Sequence, residues 1–122
     1  MPESPKRILI VDDEPLIRSI LRRLLRRKGY TTFEAESNAS ALRLFMKEQP
    51  LHALLCDVYV GPDSGWMLAK RIHAEQPTIR VVMLTGSQAP SPPQLPFHHA
   101  VLLKPFDQEE LVRAIEDIDA KA

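Results

Sequence analysis

The sequence is poor in several features that would indicate particular classes of protein. It contains a single cysteine, which excludes an internal disulfide and any metal site built from several cysteines. Lysine plus arginine number 16 and aspartate plus glutamate also number 16, so no excess charge would draw the chain onto nucleic acid. No apolar run approaches the roughly 18 residues that a membrane helix needs. We therefore expect a cytoplasmic protein with no nucleic-acid partner and no membrane partner.

Proline is the one residue type in clear excess. The 122 residues include 11 prolines, against a usual share of about 5%. They include only 4 glycines, so the composition is not that of a Gly/Pro-rich disordered chain. The length is typical of one domain. We expect a single domain over residues 1–122, with an ordered core of about 6–119.

Short apolar runs alternate with stretches whose apolar residues recur at helical spacing. Four such runs, at residues 8–11, 51–56, 81–84 and 101–103, are typical of strands in a parallel sheet. Residues 31–35 indicate a more exposed strand, the second of five along the chain. Helical patterns follow all but the fourth predicted strand, after which a proline-rich stretch stands at 90–96. The alternation predicts an α/β fold with a parallel sheet and right-handed crossovers.

Polar side chains follow four of the predicted strands, at the points where the strands end. They are Asp12, Asp13, Asp57, Thr85 and Lys104. Because chemistry in open parallel sheets gathers beyond the carboxyl ends of the strands, we expect these groups to meet at one edge. Two unit charges about 4 Å apart interact by roughly 4 kcal/mol at an effective dielectric of about 20, so three clustered carboxylates require a cation. Their oxygens suit Mg²⁺ or Mn²⁺, and a lysine with a threonine can bind a phosphoryl group.

Each of these residues taken singly has an ordinary structural explanation. An acid after a strand is most often a turn or helix-capping residue. A threonine there is most often a turn residue, and a lysine a solvated charge. Their joint occurrence after the first, third, fourth and fifth predicted strands is what favours a functional site.

With these residues in view, the chain resembles the receiver domain of two-component response regulators over essentially its whole length. The matching segments are residues 8–15, 54–57, 63–66, 82–86 and 102–106. The resemblance implies a flavodoxin-like, doubly wound, five-stranded parallel sheet of strand order 2-1-3-4-5 with helices on both faces. It also implies Mg²⁺-dependent transfer of a phosphoryl group onto an aspartate, from a histidine kinase or a histidine phosphotransfer protein.

The resemblance assigns a role to each residue of the pocket. It implies that Asp57 is the phosphoacceptor and that Thr85 and Lys104 bind the new phosphoryl group. The implied Mg²⁺ ligands are Asp13, Asp57, the backbone carbonyl of Tyr59, and Asp12 through a water molecule.

The resemblance also implies which residues contact a partner protein. They are Pro15, Leu16, Arg18, Ser19, Pro105 and Phe106. The peptide bond between Lys104 and Pro105 is expected to be cis, as it is in the family, and proline is the residue before which a cis bond is least unfavourable.

The sequence departs from the family pattern in two places. Val101 stands where an aromatic switch residue is usual, three positions before Lys104. The segment between Thr85 and Lys104 is a few residues shorter than usual and rich in proline, which costs about 3 kcal/mol inside a helix. We expect the fourth helix to be short, distorted or absent. This weakens the usual output surface but leaves the pocket complete.

Other functions fit parts of the sequence. The resemblance implies a receiver that acts alone, as a phosphate shuttle, or that is a fragment of a hybrid histidine kinase or a larger regulator. A receiver-fold binding module without phosphorylation is disfavoured by the complete set of pocket residues. An aspartate-nucleophile phosphatase would need Asp-x-Asp directly after the first strand, where the chain has Asp12-Asp13-Glu14. We expect no enzyme acting on a separate substrate, but a domain that catalyses only its own phosphorylation and dephosphorylation.

Overall fold

The structure is a computed structural model that describes residues 5–86 and 95–116. In chain order its elements are β1 (Arg7–Val11), α1 (Pro15–Arg27), β2 (Thr31–Ala35), α2 (Asn38–Glu48), β3 (Ala53–Asp57), β4 (Tyr59–Val60), β5 (Asp63–Ser64), α3 (Gly65–Glu75), β6 (Arg80–Thr85), β7 (Ala100–Leu103) and α4 (Gln108–Glu116). None of the helices in these two ranges is long and apolar enough to cross a membrane.

Five of the strands form one parallel sheet in the order β2-β1-β3-β6-β7. Numbered by themselves along the chain, these five strands have the order 2-1-3-4-5, so the predicted topology is confirmed. The order changes direction at β1, and ligands of doubly wound sheets bind beyond the carboxyl ends of the strands at such a point. The topology therefore brings the ends of β1 and β3 together at the edge where polar residues were predicted.

Helices cover both faces of this sheet, because successive side chains of a strand point to opposite faces. Leu9 and Val11 of β1 pack with α2 and α3, whereas Ile8 and Ile10 pack with α1 and α4. These four residues of β1 are fully buried, which explains the continuous apolar run in the sequence. The predicted placement of helices on both faces is confirmed.

A small hairpin was not predicted. Residues 61–65 have the composition of a loop, but β4 and β5 pair antiparallel and α3 begins directly afterwards at Gly65. Gly61 lies in the two-residue turn of this hairpin with φ of +62°, a conformation that residues other than glycine rarely adopt. The hairpin positions the chain just after Asp57, next to the predicted site.

The helix boundaries follow from capping residues. Ser37 precedes α2 and its hydroxyl accepts a hydrogen bond from the Ser40 amide at 3.1 Å. The Asp107 carboxylate accepts a hydrogen bond from the Glu110 amide at 2.8 Å at the start of α4. Pro15 begins α1, where an N–H group would have no partner within the helix. The first backbone N–H groups of a helix have no partner within the helix. At α2 and α4 the preceding residue accepts a hydrogen bond from one of them, and at α1 the proline has no N–H group.

The connection between β6 and β7 contains no helix at Gly86 or at residues 95–99, the part of it that the structure describes. The remainder of the predicted short or distorted fourth helix falls on residues 87–94, outside the described residues. Residues 117–119 of the predicted ordered core also lie outside them. Helix α4 is thus the helix predicted to follow the last strand.

Candidate functional site

The predicted polar residues lie at the carboxyl edge of the sheet, and three of them are in direct contact. Lys104 Nζ lies 2.5 Å from Asp57 Oδ2 and 3.6 Å from Asp12 Oδ2. Thr85 joins the group through its main chain, because its carbonyl accepts a hydrogen bond from the Lys104 amide at 2.7 Å. Its hydroxyl donates to the Gly86 carbonyl at 3.3 Å. The structure therefore brings together the last side chain of β3 and side chains that follow β1 and β7.

Asp12 is the buried charge of this site. Its side chain has no exposed surface, and Oδ1 accepts a hydrogen bond from the Glu14 amide at 2.9 Å. Within the described residues, Oδ2 has no hydrogen-bond partner. Burial raises the pKa of Asp12 to about 6, although the Glu14 amide and the charge of Lys104 oppose the rise. Asp13, by contrast, is exposed.

Asp57 is held at both carboxylate oxygens. Oδ2 accepts from Lys104, and Oδ1 accepts from the Tyr59 amide at 2.9 Å. Burial lowers the pKa of Lys104, but the hydrogen bond and the charge of Asp57 outweigh it, so that the pKa is raised overall. The Asp57 side chain remains 15% exposed. The carboxylate is thus oriented, paired with a cation and still accessible.

Gly65 is a residue of the site that sequence reasoning missed. A Cβ atom at this position would lie 2.0 Å from the Asp57 carbonyl oxygen and 3.0 Å from Cys56 Sγ. The Gly65 amide donates to the Val58 carbonyl at 2.7 Å, which holds the start of α3 against the end of β3. Gly65 lies in the segment 63–66 that matches the family, but no role in the pocket was predicted for it. Cys56 is fully buried, and burial raises the pKa of its thiol.

The donor chemistry of the site suits Mg²⁺, although the acids are not arranged as a finished metal site. Among the residues described, no group of three or more His, Cys, Asp or Glu side chains is placed to hold a metal ion. The reason is that Lys104 pairs with Asp57 and Asp12, while Asp13 faces solvent. Asp12 Oδ2 nevertheless needs a partner, and carboxylate and carbonyl oxygens are the ligands that Mg²⁺ prefers. The predicted ligand set therefore fits this ion in chemistry and remains a prediction.

A groove beside the site contains some of the residues predicted to contact a partner. It has a volume of about 590 Å³ and lies between α1 and the segment after β7. Its lining residues are Ile17, Ile20, Leu21, Leu24, Gly86, Lys104, Pro105, Phe106 and Gln108. The peptide bond between Lys104 and Pro105 is cis, as expected.

The other predicted contact residues differ in exposure. Leu16 is 70% exposed, and Pro15 is exposed as well. Ser19 is half-buried. Arg18 is turned inward, with only 15% of its side chain exposed, and it donates a hydrogen bond to the Asp12 carbonyl at 2.7 Å. Arg18 thus supports the end of β1.

The family model for the response regulator receiver domain matches residues 8–116, which include every residue of this site. The chain belongs to the response regulator receiver family. It is 32% identical over 114 residues to the response regulator receiver protein CpdR of Brucella abortus, covering 91% of this chain and 94% of that protein. It is 30% identical over 120 residues to the transcriptional regulatory protein GlrR of Escherichia coli K12, covering 96% of this chain. The receiver chain spans only 27% of the length of GlrR.

Solved structures of receivers have the same fold. The CheY-like receiver domain from Methylobacillus flagellatus superposes with a TM-score of 0.81 at 24% identity, covering 94% of this chain and 99% of that one. Receiver domains are phosphoacceptors in two-component systems, in which an aspartate takes the phosphoryl group. They generally bind Mg²⁺ and interact with histidine kinases or phosphotransfer proteins.

Proposed function

We propose that Asp57 accepts a phosphoryl group from a phosphohistidine of a histidine kinase or histidine phosphotransfer protein. The observation that carries the proposal is the 2.5 Å contact between Lys104 Nζ and Asp57 Oδ2, beside the buried carboxylate of Asp12. This contact places a cation where a phosphoryl group on Asp57 would add charge. Asp57 is also the accessible member of the acid pair that Lys104 contacts, since Asp12 has no exposed surface.

The reaction transfers the phosphoryl group from an imidazole nitrogen of the donor to a carboxylate oxygen of Asp57. A carboxylate oxygen of Asp57 forms the new O–P bond in line with the P–N bond, which breaks. The electron pair of that bond stays on the imidazole nitrogen of the donor, which takes up a proton. Asp57 therefore acts as the nucleophile, with the ammonium of Lys104 lying against its carboxylate.

Thr85 and Lys104 accommodate the product. Phosphorylation adds close to two negative charges, and Lys104 is already within contact distance of Asp57 to offset them. The Thr85 hydroxyl makes a long hydrogen bond to the Gly86 carbonyl, at 3.3 Å. That bond can be exchanged for a shorter, charge-assisted one to a phosphoryl oxygen.

The proposed Mg²⁺ ligands are Asp13, Asp57 and the carbonyl of Tyr59, with Asp12 acting through water. When bound, Mg²⁺ supplies positive charge against the transferring phosphoryl group, and Mn²⁺ would do the same. Two observations support the set. Asp12 Oδ2 lacks a hydrogen-bond partner among the described residues, and a Cβ at Gly61 would lie 3.9 Å from Asp13 Oδ2, so the hairpin turn passes beside Asp13.

The proposed partner surface is the groove between α1 and the segment after β7. Leu16 and Ile20 are large apolar residues that are 70% and 51% exposed on α1. Pro105 and Phe106 follow Lys104 and line the other side of the groove, so an apolar surface borders the reacting group. A helix of the phosphodonor that packs there would bring its phosphohistidine to Asp57.

Intact mass spectrometry after incubation with acetyl phosphate and MgCl₂ tests this function. We expect one added phosphoryl group on the wild-type chain and none on Asp57→Asn. Asp63→Asn is the matched control, because its carboxylate lies on the nearby hairpin but accepts from the Asn38 amide instead of Lys104. Absence of modification at every donor concentration would contradict the proposal and would favour a receiver-fold binding module. Modification of Asp57→Asn would show that another residue accepts the group.

A further inference from the structure

Four rings form a cluster at the surface of α3, beside the start of β7. The His73 ring stacks on Phe97, with centroids 3.7 Å apart and planes 5° from parallel. Trp66 meets His99 edge to face at 5.7 Å, and Phe97 meets His99 in the same manner at 6.1 Å. His99 Nδ1 donates a hydrogen bond to the Phe97 carbonyl at 2.9 Å, because a carbonyl can only accept. We call these four residues the ring cluster.

The ring cluster joins α3 to the chain that leads into β7. Trp66 and His73 are seven positions apart on α3 and therefore lie on the same side of that helix. Phe97 and His99 closely precede Ala100, the first residue of β7. Stacked and edge-to-face ring pairs each contribute about 0.5–1.5 kcal/mol beyond their buried area. The cluster thus fixes the beginning of β7 against α3.

The ring cluster is connected to Asp57 both through α3 and through β7. Trp66 follows Gly65, where a Cβ atom would lie only 2.0 Å from the Asp57 carbonyl oxygen. From His99, β7 runs to Lys104, whose ammonium lies 2.5 Å from the Asp57 carboxylate. The main chain and side chain of the proposed phosphoacceptor are therefore connected to the same ring cluster by two separate routes.

One face of β7 is exposed, so the contact between the ring cluster and the start of this strand matters for the position of Lys104. Val101 and Leu103 are 44% and 56% exposed, so that face of the strand has little packing of its own against the described residues. The opposite face, with Ala100 and Leu102, packs on the core shared with α1 and α4. Pairing with β6 holds β7 from Ala100 to Leu103, and the ring cluster adds a side-chain contact just before the start of the strand.

We propose that Trp66, His73, Phe97 and His99 are positioning residues that hold β7, and through it Lys104, in the geometry that binds a phosphoryl group on Asp57. The inference rests on the proposed function of Asp57. Val101 stands where an aromatic residue is usual, and its side chain does not hold β7 in place. The inference assigns that support of β7 to the ring cluster. Because coupling between two sites is reciprocal, occupation of the Asp57 pocket will in turn change the packing of the ring cluster.

The test measures binding of a phosphoryl analogue, beryllofluoride with Mg²⁺, by fluorine NMR. Phe97→Ala removes the stack on His73 and is expected to weaken binding about fivefold or more, the lower range of typical couplings. Phe97→Tyr keeps the flat ring and should restore wild-type affinity. Trp66 is the single tryptophan of the chain, so tryptophan fluorescence comes from this member of the ring cluster and should change when the analogue binds.

Phe33→Ala is the matched control. Phe33 is also a partly buried phenylalanine packed on the α2–α3 face, but it lies on β2, at the opposite edge of the sheet from β7. Its replacement should lower the melting temperature and leave the affinity for the analogue unchanged. If Phe97→Ala does not fold, His73→Ala removes the same stack from the helix side and takes its place.

The outcomes separate this inference from the proposed function. A wild-type chain that binds the analogue, together with a Phe97→Ala variant of unchanged affinity, would overturn the positioning role alone. A lower melting temperature without weaker binding would show a purely structural cluster. A wild-type chain that binds no analogue would overturn both the proposed function and the inference that rests on it.

Discussion

Replacing Asp12 by asparagine should stabilise the protein in the absence of metal. The Asp12 side chain has no exposed surface, its Oδ2 lacks a hydrogen-bond partner among the described residues, and burial raises its pKa from 3.8 to about 6. A raised pKa means that folding disfavours the ionised form, so at neutral pH the charge destabilises the native state. At about 1.4 kcal/mol for each pKa unit, the cost is about 3 kcal/mol. The Asp12→Asn substitution removes this charge while it keeps the shape of the side chain and an oxygen for the Glu14 amide.

Thermal unfolding in EDTA measures the effect. A gain of about 1–3 kcal/mol would raise the melting temperature by roughly 4–12 °C in a domain of this size. Asp13→Asn is the control, because Asp13 is exposed and its removal should change the melting temperature little. Mg²⁺ should then raise the melting temperature of the wild type more than that of Asp12→Asn. An Asp12→Asn variant that is less stable than the wild type in EDTA would refute the claim that this buried charge is costly.

Two further predictions concern packing and pH. Gly65→Ala should lower the free energy of unfolding in urea by at least about 2 kcal/mol, because its Cβ would collide with the main chain at the end of β3. Gly86→Ala is the control, because a Cβ there would meet nothing within 4 Å among the described residues, and it should leave the free energy of unfolding nearly unchanged. Equal losses of stability in the two variants would contradict the clash. For Glu116, burial raises the pKa, but hydrogen bonds from Lys6 and Tyr30 outweigh it and the pKa is lowered overall. The wild type should therefore have a higher free energy of unfolding than Glu116→Gln at pH values above 4.5, the usual pKa of glutamate. This difference should be lost as the pH falls below 4.5 and Glu116 becomes protonated. A stability difference independent of pH would contradict this interpretation.

The meeting of polar residues at the carboxyl edge of the sheet could be predicted, because it follows from local sequence patterns. Apolar runs end at polar residues, and parallel strands place their carboxyl ends at one edge, so Asp12, Asp57 and Lys104 were expected to meet. The strand order followed from the family resemblance, whose motifs lie at these same ends. The capping residues also acted locally, as Ser37 and Asp107 show.

Which of two neighbouring acids is buried could not be predicted. Asp12 and Asp13 are adjacent, and the direction of each side chain depends on how β1 leaves the sheet. The contact between Gly65 and Asp57 likewise depends on the hairpin that precedes α3. Composition alone described that segment as a loop.

The ring cluster was beyond sequence reasoning for a similar reason. His73 is an isolated residue in the sequence, and no local pattern relates it to Phe97, which follows the proline-rich stretch. The two rings meet only because the sheet topology places β7 beside β6 and brings the chain before β7 against α3. Such long-range pairs carry no periodicity that a sequence pattern can reveal.

Localisation of the phosphoryl group by peptide mass spectrometry tests the central claim most directly. The chain is incubated with acetyl phosphate and Mg²⁺, digested, and its peptides are compared with those of Asp57→Asn. We expect the phosphoryl group on Asp57 in the wild type and on no residue of the variant. A phosphoryl group on Asp12 or Asp13, or an unmodified Asp57 under every condition, would contradict the account.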